Sequence, residues 1–169
     1  MWPLFVSCPF GVEALLANEL RPMSDQPVEE ARGGVRWRGD WSVVAGANLY
    51  SRLAQRVLLQ VAHAPYRSEQ EIYDAAHAVP WEEWFAVGQT FRVDVTAHRS
   101  PVKSLNFVGL RVKDGVADRF RQRLGQRPSV DTRAPAVRIA VHLDATHATL
   151  YLDTSGEPLF KRGWRQSTG

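Results

Sequence analysis

The segment VEEARGGVRWR, residues 28–38, holds two short β-prone runs, Val28–Arg32 and Val35–Arg38, that meet at Gly33-Gly34. A glycine pair supplies the positive φ angles of a tight hairpin, so the segment reads as two antiparallel strands. Upstream, Pro22 and Pro27 punctuate a loop. Before that loop Val12, Leu15, Leu16 and Leu20 recur at helical spacing, and Leu4-Phe5-Val6 is an apolar strand ended by Pro9. Downstream, Asp40 is a good N-cap for a helix in which Trp41, Ala45, Leu49 and Leu53 recur every fourth residue. Arg56–His63, with Val57, Leu58, Leu59 and Val61, reads as a closing strand.

Residues 1–64 therefore run strand, helix, strand, strand, helix, strand, the order of the ferredoxin-like fold, which hosts many functions and names none. Ala64-Pro65-Tyr66 reads as a joint, with a second unit over residues 65–169. That unit opens with helical segments Ser68–Ala78 and Trp81–Phe85, and Ser68 with Glu71 makes a capping-box signature. Strand Phe91–Ala97 alternates, with Phe91, Val93, Val95 and Ala97 on one side and Arg92, Asp94 and Thr96 on the other. A helix is predicted from about Ser104 to Leu124, burying Leu105, Val108, Val112, Val116 and Phe120 and stopped by Gly125. A loop from Arg127 to Pro135 leads into a hairpin, with Val137, Ile139, Val141 and Leu143 on one strand and Ala148, Leu150 and Leu152 on the next. The class is α/β of the α+β kind.

With 169 residues, 44% hydrophobic and 23% charged, the chain is too apolar for a disordered protein. Its apolar runs, such as Val57–Leu59, fall far short of the ~20 residues that span a bilayer. No basic segment precedes an apolar stretch at the N-terminus, and the single cysteine, Cys8, permits no intrachain disulfide. The cytoplasm is the expected compartment. The charge is uneven. Residues 1–64 carry six basic and six acidic side chains, whereas residues 98–138 carry ten basic against three acidic. A regional excess is what a polyanion-binding face requires. Of the 21 basic residues 18 are arginine, which a GC-rich genome explains as well as the fit of guanidinium to phosphate does.

Catalytic constellations are not apparent. None of the five histidines stands at the spacing of a zinc-binding helical pair, and no GxGxxG, GxxxxGK[ST] or GxSxG motif is present. Cys8 reads as a buried thiol, and Glu82-Glu83 as a solvated helix face. The chain reads as a binding protein. The strongest site is the junction between strand Phe91–Ala97 and the long helix, where Arg99 and Lys103 crowd a helix N-terminus capped by Ser104. Such an end offers free N–H groups and partial positive charge to a phosphate. The tail Phe160-Lys161-Arg162-Gly163-Trp164-Arg165 mixes cations with aromatic rings. It suits either RNA contact or a last strand with Phe160 and Trp164 in the core.

Several blocks resemble one family in the right order along the whole chain. They are Leu4-Phe5-Val6-Ser7, Gly11-Val12-Glu13, Leu16 with Glu19-Leu20, Gly33-Gly34-Val35, Gly39-Asp40 and Ser51-Arg52-Leu53-Ala54 with Arg56. They continue through Val112-Lys113-Asp114, Arg127-Pro128-Ser129-Val130-Asp131, Ala134-Pro135, Leu152-Asp153, Ser155-Gly156 and Arg162-Gly163-Trp164-Arg165. The chain is similar to the start of bacterial large-subunit ribosomal RNA guanine methyltransferases of the RlmL type. Trp164 stands where that family more often has Tyr.

The resemblance implies a ferredoxin-like domain followed by a THUMP domain, an RNA-binding module of RNA-modifying enzymes. In the family these precede a Rossmann-like domain that uses S-adenosylmethionine to methylate the exocyclic amine of a guanine. Residues 1–169 carry no glycine-rich cofactor loop and no [DN]-P-P-[FY] motif. The expectation is an RNA-binding N-terminal portion with no catalytic site and no cofactor of its own, S-adenosylmethionine belonging to the parent enzyme. The expected partner is structured RNA, large-subunit ribosomal RNA in particular, with neither DNA nor a membrane. By resemblance the binding positions are Arg99, Lys103, Ser104, Lys113, Lys161, Arg162 and Arg165. A stand-alone RNA-binding adaptor and a protein-interaction module are the alternative readings.

Overall fold

The computed structural model describes residues 1–155, which form two compact units. The first comprises Met1–Gln60 with Asp153–Ser155. Its elements are β1 (Trp2–Ser7), α1 (Glu13–Leu20), β2 (Glu29–Ala31), β3 (Gly34–Gly39), α2 (Trp41–Tyr50) and the first half of β4 (Arg56–Pro65). The strands lie in the order β2-β3-β1-β4, every pair antiparallel. Register sets Leu4 opposite both Trp37 and Leu59, and Val6 opposite both Val35 and Val57. These six side chains share one sheet face, and all are buried, together with Leu16, Ala17 and Leu20 of α1 and Val44 and Ala47 of α2.

The two glycines of the hairpin do different jobs. Gly33 takes the positive φ of +75°, whereas a Cβ on Gly34 would lie 2.2 Å from the Val6 carbonyl oxygen. Gly34 is thus required for close approach rather than for turning. Asp40 caps α2 as its residue type predicts, its Oδ1 accepting from the N–H groups of Ser42 and Val43 at 3.0 and 3.1 Å. The buried stripe of α2 differs from the expected one. Val44 and Ala47 are buried, Ala45 and Leu49 are exposed, and the helix stops at Tyr50 before Leu53. Apolar residues lie all round this helix, so spacing alone does not set its phase; the side that meets the core carries Val44 and Ala47.

Several resembling blocks prove to be partners within this unit. Glu13 accepts from the N–H groups of Gly11 and Gly33. Glu19 accepts from the Ser51 hydroxyl and from the N–H groups of Arg52 and Leu53. Arg56 pairs with the buried Asp153. Cys8 is buried, and burial followed by the Glu13 charge pushes its thiol pKa up, as for an inert side chain.

The second described unit begins at Val61 within β4, ahead of the expected joint at residue 65. It contains α3 (Glu69–Ala78), β5 (Phe91–Ala97), α4 (Leu105–Leu124), β6 (Val137–Leu143) and β7 (His147–Asp153), with a 3-10 turn at Trp81–Glu83 where a longer helical segment was expected. Here the second half of β4 pairs with β7, β7 is antiparallel to β6, and β5 runs parallel to β6 at the edge. The alternation of β6 is borne out: Val137, Ile139, Val141 and Leu143 are buried beside Ala148, Leu150 and Leu152. Phe85 centres an aromatic cluster, its ring 5.0 Å from Phe120 and 6.2 Å from Phe91. Helices α3 and α4 pack against each other at Gly115, where a Cβ would meet the Ala76 Cβ and the Tyr73 carbonyl oxygen at 3.0 Å.

Candidate nucleic-acid interface

The parallel arrangement of β5 and β6 leads the chain from the end of β5 through residues 98–104 into α4, which packs on β5. The turn is held at its start by the His98 N–H, which donates to the Leu143 carbonyl at 2.9 Å. Arg99 follows in the left-handed region, φ +59°, and is the only non-glycine residue at positive φ among the described residues. An unbranched L-residue there costs about 1–2 kcal/mol. At the far end Ser104 caps α4, its Oγ accepting from the Phe107 N–H at 3.1 Å. Helix geometry leaves the N–H groups of Leu105 and Asn106 directed out of that end.

Of the seven expected binding residues, Arg99, Lys103 and Ser104 come together in this loop, and all three are exposed. Lys113 sits apart, about 14 Å further along α4 at 1.5 Å per residue, and is half-buried. Lys161, Arg162 and Arg165 lie outside the described residues, as does the expected strand around Phe160 and Trp164.

The charge count of the sequence is thinned by pairing. Arg119 and Glu82 form a forked ion pair with contacts of 2.8–3.3 Å, both side chains 15% exposed. Glu82 is thus a structural anion and not part of a solvated helix face. Burial opposes its charge, but the Arg119 hydrogen bonds, its own backbone N–H and the Arg119 and Arg123 charges hold its pKa below the usual carboxylate range. Arg123 lies 3.9 Å from Glu82, while Arg121 and Arg127 lie 3.7 and 3.9 Å from Asp118. Arg111 lies over the Tyr73 ring at 4.5 Å and donates to Gln70. Of the ten basic residues in 98–138, Arg99, Lys103, Lys113, Arg133 and Arg138 carry no such side-chain partner among the described residues, and two of those five are in this loop.

Two features of this loop escaped the sequence. Leu105, expected in the buried stripe, is 39% exposed, and Phe107 and Leu110 are 48% and 45% exposed, so apolar surface adjoins the cations. Helical spacing signals which side faces a core only where a core reaches, and Leu105 lies at the helix end. Tyr66 is the second. Its hydroxyl reaches Ser100 Oγ at 2.6 Å and the Asp144 carbonyl oxygen at 2.7 Å, across 34 and 78 residues of chain. No local pattern marks it.

His63 stacks on His147 at 4.6 Å, and His142 hydrogen-bonds Thr96 at 2.9 Å. Burial lowers the pKa of His142, against Asp144 and with His98. Among the described residues no three His, Cys, Asp or Glu side chains cluster as a metal site. Nor is any described helix long and apolar enough to cross a membrane. The loop presents two cations, a hydroxyl-capped helix end and a ring, groups whose chemistry is complementary to a phosphate and a planar base.

Comparison with known proteins matches residues 66–153 to the THUMP domain and residues 3–58 to the RlmL ferredoxin-like domain. A ribosomal RNA large subunit methyltransferase K/L from Syntrophotalea carbinolica is 44% identical over 161 residues, 95% of this chain and 23% of that protein. The chain thus spans about a quarter of the length of the curated relatives it matches. A Listeria monocytogenes structure described as a predicted N6-adenine-specific DNA methylase superposes with a TM-score of 0.80 at 26% identity, covering 99% of this chain and 44% of that one. SMU.472, a methyltransferase structure complexed with SAH, gives a TM-score of 0.80 at 24% identity, covering 97% and 44%, a likeness of fold.

Proposed function

Since the chain belongs to the THUMP family, with an RlmL-type ferredoxin-like domain ahead of the THUMP domain, we propose that it binds structured large-subunit ribosomal RNA in the cytoplasm. It docks that RNA for the methyltransferase part of a longer protein. That part takes S-adenosylmethionine and methylates the exocyclic amine of a guanine; the residues described here hold and orient the RNA. The observation that carries the reading is the loop at residues 98–104, where exposed Arg99 and Lys103 flank the capped end of α4, while arginines further along and beyond that helix are tied to acids or a ring. These groups hold phosphate oxygens and are blind to base identity. Phe107, one turn into the helix, offers a face for an unpaired base.

The test is a titration of a large-subunit ribosomal RNA hairpin at several salt concentrations. Replacing Arg99 and Lys103 by Ala weakens binding to all structured RNAs alike and flattens the salt slope by roughly one to two units, nearly one per lost phosphate contact. The pair Arg32→Ala and Arg36→Ala serves as a control: Arg32 lies over the Phe10 ring and Arg36 pairs with Glu29. Equal losses from both pairs place the RNA site elsewhere.

A further inference from the structure

We infer that Tyr66 is a positioning residue for RNA, acting through Arg99; this rests on the reading of residues 98–104 as a phosphate-binding loop. Tyr66 follows β4 and is buried, with its N–H donating to the Thr146 carbonyl at 3.0 Å. Its side chain therefore starts from the β6–β7 turn and ends under the residue after Arg99. The hydrogen bonds there have a single consistent direction. The Val102 N–H donates to Ser100 Oγ at 3.1 Å. The Tyr66 hydroxyl donates its one proton to the Asp144 carbonyl oxygen at 2.7 Å. The 2.6 Å contact between the two hydroxyls must then be Ser100 donating to Tyr66. Each hydroxyl both accepts and donates, so only a hydroxyl at each position completes the chain.

That chain clamps Ser100, and Ser100 is the neighbour of the one described non-glycine residue held at positive φ. On the other side of Arg99 the His98 N–H is fixed to Leu143. Arg99 is thus over-determined from both flanks, which is the condition for a costly backbone conformation to persist. Asp144 is itself rigid, its Oδ1 accepting from the N–H groups of Thr146 and His147 at 2.8 and 2.7 Å. The Arg99 guanidinium is exposed and has no partner among the described residues. What Tyr66 supplies is therefore the direction in which this cation leaves the loop. With phenylalanine at 66, Ser100 and Asp144 lose their partner and Arg99 is free to leave the left-handed region, so the cation spreads over many orientations.

The experiment uses the whole chain, a large-subunit ribosomal RNA hairpin as probe, and four proteins: wild type, Tyr66→Phe, Arg99→Ala and the double variant. Trp81→Phe is a stability control, since it deletes a buried hydrogen bond to the Ala76 carbonyl in the same unit, away from the loop. Tyr66→Phe should weaken binding roughly five- to tenfold, the size of one loosened charge-assisted contact. It should flatten the salt slope by about 0.7–0.9 units. Trp81→Phe should lower the melting temperature with the slope unchanged. In the Arg99→Ala background Tyr66→Phe should add almost nothing, because its effect runs through the missing cation. The same loss from Tyr66→Phe in both backgrounds overturns the inference, as does unchanged binding by Tyr66→Phe where Arg99→Ala weakens it. If Arg99→Ala itself has no effect, the phosphate-loop reading fails first and the inference with it.

Discussion

Replacing Arg99 by glycine should make the protein more stable and a poorer RNA binder. Arg99 sits at φ +59°. The left-handed conformation costs an L-residue about 1–2 kcal/mol, and glycine escapes that cost. Glycine also loses more freedom on folding, which returns about 0.5–1 kcal/mol. The difference is a gain of roughly 0.5–1 kcal/mol, or about 1–4 °C in melting temperature for a chain of this size. Arg99→Ala keeps the strained backbone and removes the same charge, so it should leave the melting temperature near that of wild type. Both variants should lose the same phosphate contact, flattening the salt slope of RNA binding by about 0.7–0.9 units. Thermal melts and RNA titrations on the two variants check this. A glycine variant that melts several degrees below wild type would mean that the Arg99 side chain supports the fold. A glycine variant that is more stable and binds RNA normally would mean that the strain serves no contact with RNA.

Gly115→Ala poses a question of sign. Alanine is favoured over glycine in a helix by up to about 1 kcal/mol, but its Cβ would meet α3 backbone and the Ala76 Cβ at 3.0 Å. Overpacking of about 1–3 kcal/mol should win, and a denaturant melt should show a net loss. Glu82→Gln breaks the Arg119 ion pair and should cost about 1–3 kcal/mol at neutral pH. The folded pKa of Glu82 is lowered, so its contribution is present above the unfolded value of ~4.3 and is lost as pH falls through the folded value. Melting curves of wild type and Glu82→Gln should therefore converge as pH falls below the ordinary glutamate value of ~4.3, and a constant gap would refute the assignment. Finally, a fragment starting at residue 56 should melt cooperatively, whereas one starting at residue 65 lacks the strand that pairs with β7 and should melt broadly. Equal melts would show that this half of β4 contributes little to the second unit.

The order of elements could be read from residue types because each signal is local. Asp40, Ser68 and Ser104 cap helices with their own side chains, Gly125 ends α4 at φ +73°, and β6 buries every second residue. The cation loop was also visible, since Arg99, Lys103 and Ser104 lie within six residues of one another. Long-range pairing is of another kind. The helical phase of α2 depends on which of its sides the core of the unit covers, and apolar residues on every side gave no hint of it. Glu82 looked like one of two solvated acids until folding set Arg119 beside it, 37 residues away. The basic count of residues 98–138 measured charge without its partners, and partners such as Gln70 and Tyr73 arrive from α3. Tyr66, Ser100 and Asp144 show the limit most clearly. A hydrogen bond depends on position to within tenths of an ångström, and residues 34 and 78 positions apart acquire that precision only when β4, β6 and β7 are aligned in one sheet. Composition and spacing determine which segments become helix or strand and where charge accumulates; the direction in which a given cation points is a property of the packed chain.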